Sequence, residues 1–277
     1  MISPVEYDNE QLVAAAFDRQ SRHFDELYIP NTIIQYKRKR VMDYLLSRLN
    51  PGSNILELNA GTGDDAVFLA QCGHLVHATD ISEGMQEKLK DKAARFGLSR
   101  SVTTEICSFT SLETLHNQGP YDCIFSNFAG LNCTDKLDRV LASFDSLLKP
   151  GGLVVLVMLP RFCFWESLLV FRGKFKTATR RFFSSKGRMA NIESLSFRCW
   201  YYSPRVIDRT TGGKYINREL EGLCTIVPPS YMEHFPEKHP GLYTFLCKAE
   251  SKLCKTWPWN YVGDYFITSF RKKQMPA

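Results

Sequence analysis

The sequence lacks any CxxC pair or regular cysteine framework, although nine cysteines are scattered over its 277 residues. Without clustered ligands, a structural zinc site has no support and metal ligands are not expected. Cys123 in YDCIFSN and Cys72 in FLAQCGH lie among apolar residues. Buried free thiols in a reducing, cytoplasmic compartment are therefore expected. The longest apolar run, GGLVVLVMLP at 151–160, is too short to span a bilayer and reads as a buried strand. The N-terminal EYDNEQ takes the place of a basic segment leading into an apolar one, which argues against secretion. Positive charge has no continuous track either. The formal net charge is +6, but the excess sits in YKRKR at 36–40, FRGKFKTATRR at 171–181 and RKK at 271–273. These pieces read as solvated faces, with local anion attraction as the sharper alternative.

What is present is an ordinary globular balance, 44% hydrophobic and 23% charged residues. The first fifty residues read as helices. NEQLVAAAFDRQSRHFDEL can set Leu12, Ala15, Ala16 and Phe24 near one face, and a second helix covers 32–49 until Pro51 and Gly52 end it. From residue 54 the pattern alternates. Strands are expected at 55–58, 75–79, 102–106, 121–126 and 153–159, with helices at 64–72, 85–96 and 134–148 between them. That rhythm predicts an α/β fold with a mainly parallel sheet covered on both faces. Residues 161–200 break it, reading as a helical piece followed by a hairpin, and form an insertion. A helix near Ser203, a strand at 222–227, a helix at 240–252 and a final strand in GDYFITSFRK complete the chain. The whole, 1–277, is expected as one domain with a helical cap over 1–50 and a substrate-side insertion over 161–200.

ILELNAGTGDDAVFLAQCGHLVHATDIS, residues 55–82, holds the main chemical signal. Gly61 and Gly63 permit a tight strand-to-helix turn at the carboxyl end of a parallel sheet, where open α/β folds place their ligands. Asp80 ends the second strand, where a carboxylate can accept hydrogen bonds from two ribose hydroxyls. A P-loop would need GxxxxGK followed by Ser or Thr, which is absent. The dinucleotide fingerprint would want glycines where Asn59 and Asp64 stand, and Asp64 and Asp65 would oppose a diphosphate. Glu57 instead offers an acceptor to an ammonium group. The ligand implied carries adenosine without phosphate, S-adenosylmethionine.

At this point the stretch resembles motifs I and II of the class I S-adenosylmethionine-dependent methyltransferases. YDCIFSNFAGLNC resembles their fourth-strand motif and LLKPGGLVVLVML the turn into their fifth strand. AFDRQSRHFDELY and YYSPRVIDR resemble the family's small-molecule, type 11-like members. The resemblance implies a Rossmann-like seven-stranded sheet and S-adenosylmethionine as cofactor. On it, Glu57, Asn59, Ala60, Gly61 and Gly63 line the methionine portion, Asp80 holds the ribose, and Ile81 and Met85 approach adenine. The family's acid after the third strand is replaced here by Ser108 and Phe109, with Glu105 out of register. Asn59 stands where glycine or aspartate is more familiar.

Methyl transfer is a direct displacement, so alignment of the acceptor and exclusion of water are the main requirements. Asn127 is expected beside the cofactor's amino acid portion and Asn132 on the acceptor side. NFAG replaces the Asn-Pro-Pro-Tyr or Asp-Pro-Pro-Tyr segment of amine-methylating enzymes on DNA and protein. Asp122 and Asp135 do not make a magnesium set. His234 and His239, in PPSYMEHFPEKHP, are the candidates for a base, against a plain surface role. Tyr28, Trp165, Tyr201 and Tyr202 are candidates for the acceptor pocket, against plain packing. A small-molecule acceptor is expected, with no membrane partner. Nucleic acid is disfavoured by the lack of an RNA-binding appendage, and oligomeric state stays open. Methyl transfer to RNA or protein, cofactor binding without methyl transfer, and a nicotinamide oxidoreductase are the competing readings.

Overall fold

The computed structural model describes residues 8–182 and 186–274. Residues 1–7 of the expected cap and 183–185 of the expected insertion lie outside the described residues. Three helices come first, α1 (Asn9–Gln20), α2 (Phe24–Tyr28) and α3 (Thr32–Leu46). Asn31 starts α3 by accepting the backbone N–H groups of Ile33 and Ile34. The alternating region follows: β1 (Asn54–Leu58), α4 (Asp64–Gln71), β2 (Leu75–Asp80), α5 (Glu83–Arg95), β3 (Val102–Ile106), β4 (Tyr121–Ser126), α6 (Leu137–Leu147) and β5 (Leu148–Met158). The insertion holds two short helices, α7 (Phe164–Ser167) and α8 (Phe175–Ala178), and the hairpin β6 (Arg188–Ile192) and β7 (Leu195–Cys199). The chain ends with α9 (Pro204–Thr211), β8 (Tyr215–Leu223), α10 (Phe235–Lys238), α11 (Pro240–Leu253) and β9 (Tyr265–Lys272).

Seven strands form one sheet in the order β3-β2-β1-β4-β5-β9-β8. The first five are parallel, and β9 and β8 add antiparallel pairs. Side chains alternate between two apolar layers. Leu56, Ile124, Val154 and Leu156 pack with Phe144 and Leu141 of α6 on one face. Ile55, Cys123, Phe125 and Val155 pack with Leu45 of α3 and Leu89 of α5 on the other. Because both faces are buried, the central strands read as continuous apolar runs. The strand order reverses between β1 and β4, and the crevice outside their carboxyl ends is the place this topology makes for a ligand.

The expected strand at 222–227 is displaced to 215–223. The reason is Glu250 of α11, whose buried carboxylate accepts the backbone N–H groups of Cys224, Thr225, Ile226 and Val227 at 2.8–2.9 Å. Those donors turn around an anion instead of entering a ladder. The YKRKR run is also not a solvated face. Lys37 is buried, donating to Ser230 at 3.1 Å with Asp264 at 3.5 Å; Arg38 pairs with Asp64 and Asp65, and Arg40 with Glu221. Only Lys39 faces solvent, beside Asp43. All nine cysteines are free thiols, but Cys72, expected in the core, is exposed at the end of α4. No helix among the described residues is long and apolar enough to cross a membrane.

Candidate active site

A cleft of about 630 Å³ opens at the carboxyl ends of β1, β2 and β4. Its floor is the turn after β1. Gly61 has φ +56° and Gly63 φ +81°, and a Cβ on Gly63 would meet Leu89 at 2.3 Å. The left-handed backbone and the approach of α5 thus both demand glycine there. At Gly61 an added Cβ would meet nothing within 4 Å. Asn59 also has positive φ, 48°, and its amide ties β1 to β4: Nδ2 donates to the Asn127 carbonyl at 2.9 Å and Oδ1 accepts from Ser126 Oγ at 2.7 Å. Gly130 crosses closely over it, since a Cβ there would meet Asn59 Cγ at 2.2 Å.

Asp80 borders the cleft from the end of β2. Its carboxylate accepts Gly61 N–H at 2.9 Å and Ser82 N–H at 3.0 Å. Burial raises its pKa against the pull of these donors. Ile81, Met85, Cys107 and Phe109 form an apolar wall beyond it. Ser108 is not part of that wall. Its hydroxyl donates to Glu10 Oε2 of α1 at 2.8 Å, and Thr110 donates to Glu10 Oε1 at 2.6 Å. An acid does reach this edge, from a helix almost a hundred positions earlier. Glu105 is engaged elsewhere, with His77 at 3.1 Å and His116 at 2.9 Å.

Acidic residues lie behind the turn, outside the lining of the cleft. Glu57 is buried with no hydrogen-bond partner on Oε2, and burial, with Asp65 close by, pushes its carboxyl well above the ordinary range. Asp65 accepts Asn127 Nδ2 at 2.7 Å and lies 3.2 Å from Arg38 Nε. Asp64 pairs with Arg38 and Lys92. The aspartates at the start of α4 are therefore offset by cations, and the orphaned acid is Glu57. A buried carboxyl of this kind fits a ligand ammonium, while an apolar wall and a ribose-height carboxylate at the other end fit adenosine. The residues present thus match S-adenosylmethionine.

The roof comes from the N-terminal helices and the loop after β4. Val13 and Phe17 of α1, Phe24 of α2, and Phe128, Gly130 and Cys133 after β4 complete the lining. α1 packs on β7 through Val13, Ala16 and Phe197, and Asn9 bonds across to the Cys133 carbonyl at 2.8 Å and Arg198 N at 2.7 Å. Phe17 and Phe24 lie in AFDRQSRHFDELY, and Phe128, Gly130 and Cys133 in YDCIFSNFAGLNC, so the resemblance marked their segments without singling out these side chains.

Residues 55–152 match the family described as a methyltransferase domain. Over that stretch, about a third of its length, the chain is similar to the class I S-adenosylmethionine-dependent methyltransferases. A ubiquinone/menaquinone biosynthesis C-methyltransferase, UbiE of Methylococcus capsulatus, is 28% identical over 155 residues, 55% of this chain and 61% of that protein. The chain spans about 60% of the length of the curated relatives it matches. Among solved structures, the cyclase SpnF has a TM-score of 0.62 at 16% identity, covering 99% of this chain and 100% of that one. Phosphoethanolamine N-methyltransferase 2 of Haemonchus contortus, in complex with S-adenosyl-L-methionine, gives 0.61 at 15% identity, covering 98% and 61%. At these identities the structural likenesses establish the architecture alone.

The sequence-derived site residues divide into groups within this methyltransferase fold. Asn59, Gly61, Asp80, Ile81, Met85, Phe109 and Asn127 line one cleft. Glu57 and Gly63 lie under the turn, and Ala60 holds it by donating its N–H to the Thr79 carbonyl at 3.0 Å. Asn132 does not border the cleft: it is buried, its amide bonding Leu159 N, Leu159 O and Trp200 O. His234 is exposed on the turn before α10, 3.5 Å from both Glu233 and Glu237, and His239 likewise faces solvent. Neither lines the cleft. Tyr201 and Tyr202 border a separate cleft with Arg161 and Arg198, and Trp165 borders a groove of the insertion. Tyr28 is partly buried near Gln20 and Lys37.

Proposed function

We propose that this chain methylates a small-molecule acceptor, with Asp80 holding the ribose, the Glu57–Asp65 end holding the ammonium, and Ile81, Met85 and Phe109 enclosing adenine. When bound, S-adenosylmethionine supplies a methyl group already activated on sulfur, so the protein's task is alignment and exclusion of water. Phe17, Phe24 and Phe128 suit that task, being apolar and set along the roofed cleft. The observation that carries the reading is the lining itself: among the described residues its titratable side chains are Asp80, Cys107 and Cys133, with Glu57 and Asp65 buried behind it. Burial raises the Asp80 carboxyl and the Cys107 thiol. A hydrogen bond with Cys199, together with burial, raises the Cys133 thiol. No strong base is poised there, in keeping with displacement driven by proximity and orientation. A roof built from α1, α2 and the loop after β4, with β7 packed against α1, leaves space for a metabolite more readily than for a polymer. In this reading the whole chain acts as one unit, with 1–50 and 161–200 as its covers.

The test is calorimetric titration with S-adenosylhomocysteine, with NAD in parallel, followed by an acceptor screen with labelled methyl donor. Binding of the first ligand alone, and label transfer to a small molecule, are expected. NAD binding alone would overturn the reading. A second reading, cofactor binding without methyl transfer, draws support from the likeness to a cyclase over the full chain. Tight binding with no labelled product across the screen would favour it.

A further inference from the structure

Residues 171–176, FRGKFK, are exposed without a break. Phe171 keeps 87% and Phe175 61% of its surface accessible. Arg172, Lys174 and Lys176 alternate with them, and none makes an ion pair among the described residues. The neighbouring cations differ: Arg180 and Arg181 are committed to Glu166, and Arg181 to Asp264 as well. From 171 to 182 there is no acidic residue. Gly173, at φ +71°, is the bend that brings the end of one short helical turn to the start of α8. Beside this tip runs a groove of about 1170 Å³ bordered by Trp165, Leu168, Leu169, Arg172, Lys174 and Met232.

Two exposed phenylalanines gain nothing from water, and three uncompensated cations gain little from each other. An interface with apolar chains below an anionic surface satisfies both, with the basic stems lying along the boundary and their charges at headgroup level. We infer that the 171–176 tip of the insertion docks this protein peripherally on an anionic lipid surface, independently of the function proposed above. The lack of a spanning helix does not bear on such a contact, because lying on a membrane and crossing it make different demands. Single-stranded RNA would be served by cations strung along a groove and aromatic platforms for its bases. Here the cations without an ion pair are confined to one bend. Although Trp165 and Tyr231 border the adjoining groove, its remaining cation, Arg180, is paired with Glu166, so among the described residues no track of free charge runs along it.

The experiment is sedimentation of the full chain with vesicles of phosphatidylcholine, alone or mixed with phosphatidylglycerol, at low and high salt. Association with the mixed vesicles only, weakened by salt, is expected. Replacing Arg172, Lys174 and Lys176 by Ala should reduce partition about fivefold per cation, roughly a hundredfold together. Phe171→Ser with Phe175→Ser should weaken association at both salt levels, and Lys174→Arg with Lys176→Arg should preserve it. Unchanged S-adenosylhomocysteine binding shows that each variant is folded. Failure of the wild type to sediment with anionic vesicles, or sedimentation of the alanine and serine variants equal to that of the wild type, overturns the inference. Retention of single-stranded RNA without vesicle association would also overturn it and assign the tip to nucleic acid.

Discussion

Asp80 accepts the backbone N–H of Gly61 at 2.9 Å, so the residue ending β2 fixes the turn that ends β1. One carboxylate therefore shapes the floor of the cleft and, in the role proposed above, receives a ligand's hydroxyls. Asp80→Ala should weaken S-adenosylhomocysteine binding by roughly ten- to a hundredfold, the equivalent of losing charge-assisted hydrogen bonds worth about 1.5–3 kcal/mol. Asp80→Asn keeps the shape and removes the charge, and should fall between wild type and Ala. Calorimetry with both variants checks the order; equal affinity in all three would remove Asp80 from the site.

Glu57 gives cofactor binding a pH dependence with a definite sign. Burial and the nearby Asp65 raise its carboxyl, so the free protein holds a proton there to higher pH than an ordinary glutamate. A bound ammonium favours the carboxylate, so binding releases that proton. Affinity should fall as pH drops from the alkaline side through the raised value. Titrations in two buffers of different ionisation enthalpy should report proton release, and Glu57→Gln should abolish it. Proton release that survives in Glu57→Gln would point to Asp65 or Asp80 instead.

How much was readable beforehand follows from the range of each interaction. The glycine turn, Asp80 and the alternation of buried strands are set by residues within a few positions of one another, and the sequence displays them directly. Glu10 meeting Ser108, α1 lying on β7, and Lys37 meeting Asp264 join segments about a hundred positions apart or more. Nothing local encodes those pairings. His234 and Asn132 show the opposite case: their residue types suit catalysis, but the structure sets both outside the cleft lining, one beside surface acids and the other with its amide on backbone.

His234→Ala should therefore change turnover by no more than about twofold, the scale of an ordinary surface substitution. The check is the rate of labelled methyl transfer once an acceptor is found. A hundredfold loss would return His234 to the reacting atoms and require the 234–239 turn to move toward the cleft.

Gly130→Ala tests the crossing of the β4 loop over the turn. An added methyl would meet Asn59 Cγ at 2.2 Å, and Asn59 is held from both sides by Ser126 and the Asn127 carbonyl. The neighbour cannot give way without breaking one of those bonds. A stability loss of about 1–3 kcal/mol is expected from the overpacking, together with weaker cofactor binding. Denaturant unfolding with and without S-adenosylhomocysteine separates the two effects, and an unaltered variant would mean that the loop moves freely.

Arg181 joins the insertion to the end of the sheet. It pairs with Glu166 at 2.6 Å and Asp264 at 2.8 Å, and Asp264 in turn faces Lys37 of α3. Burial opposes ionisation of both acids, yet Lys37 and Arg181 hold Asp264, and Arg180 and Arg181 hold Glu166, below their ordinary values. Arg181→Met leaves two buried carboxylates short of a partner and should cost about 3–5 kcal/mol at neutral pH. Because the folded values are depressed, this contribution is complete above the ordinary carboxylate range and is lost as pH falls through the lowered values. Unfolding curves of wild type and variant should therefore converge on acidification. A constant gap down to the most acidic pH at which both still fold would show that Arg181 acts by packing on Tyr201, whose ring lies 5.2 Å from its guanidinium, and not by charge.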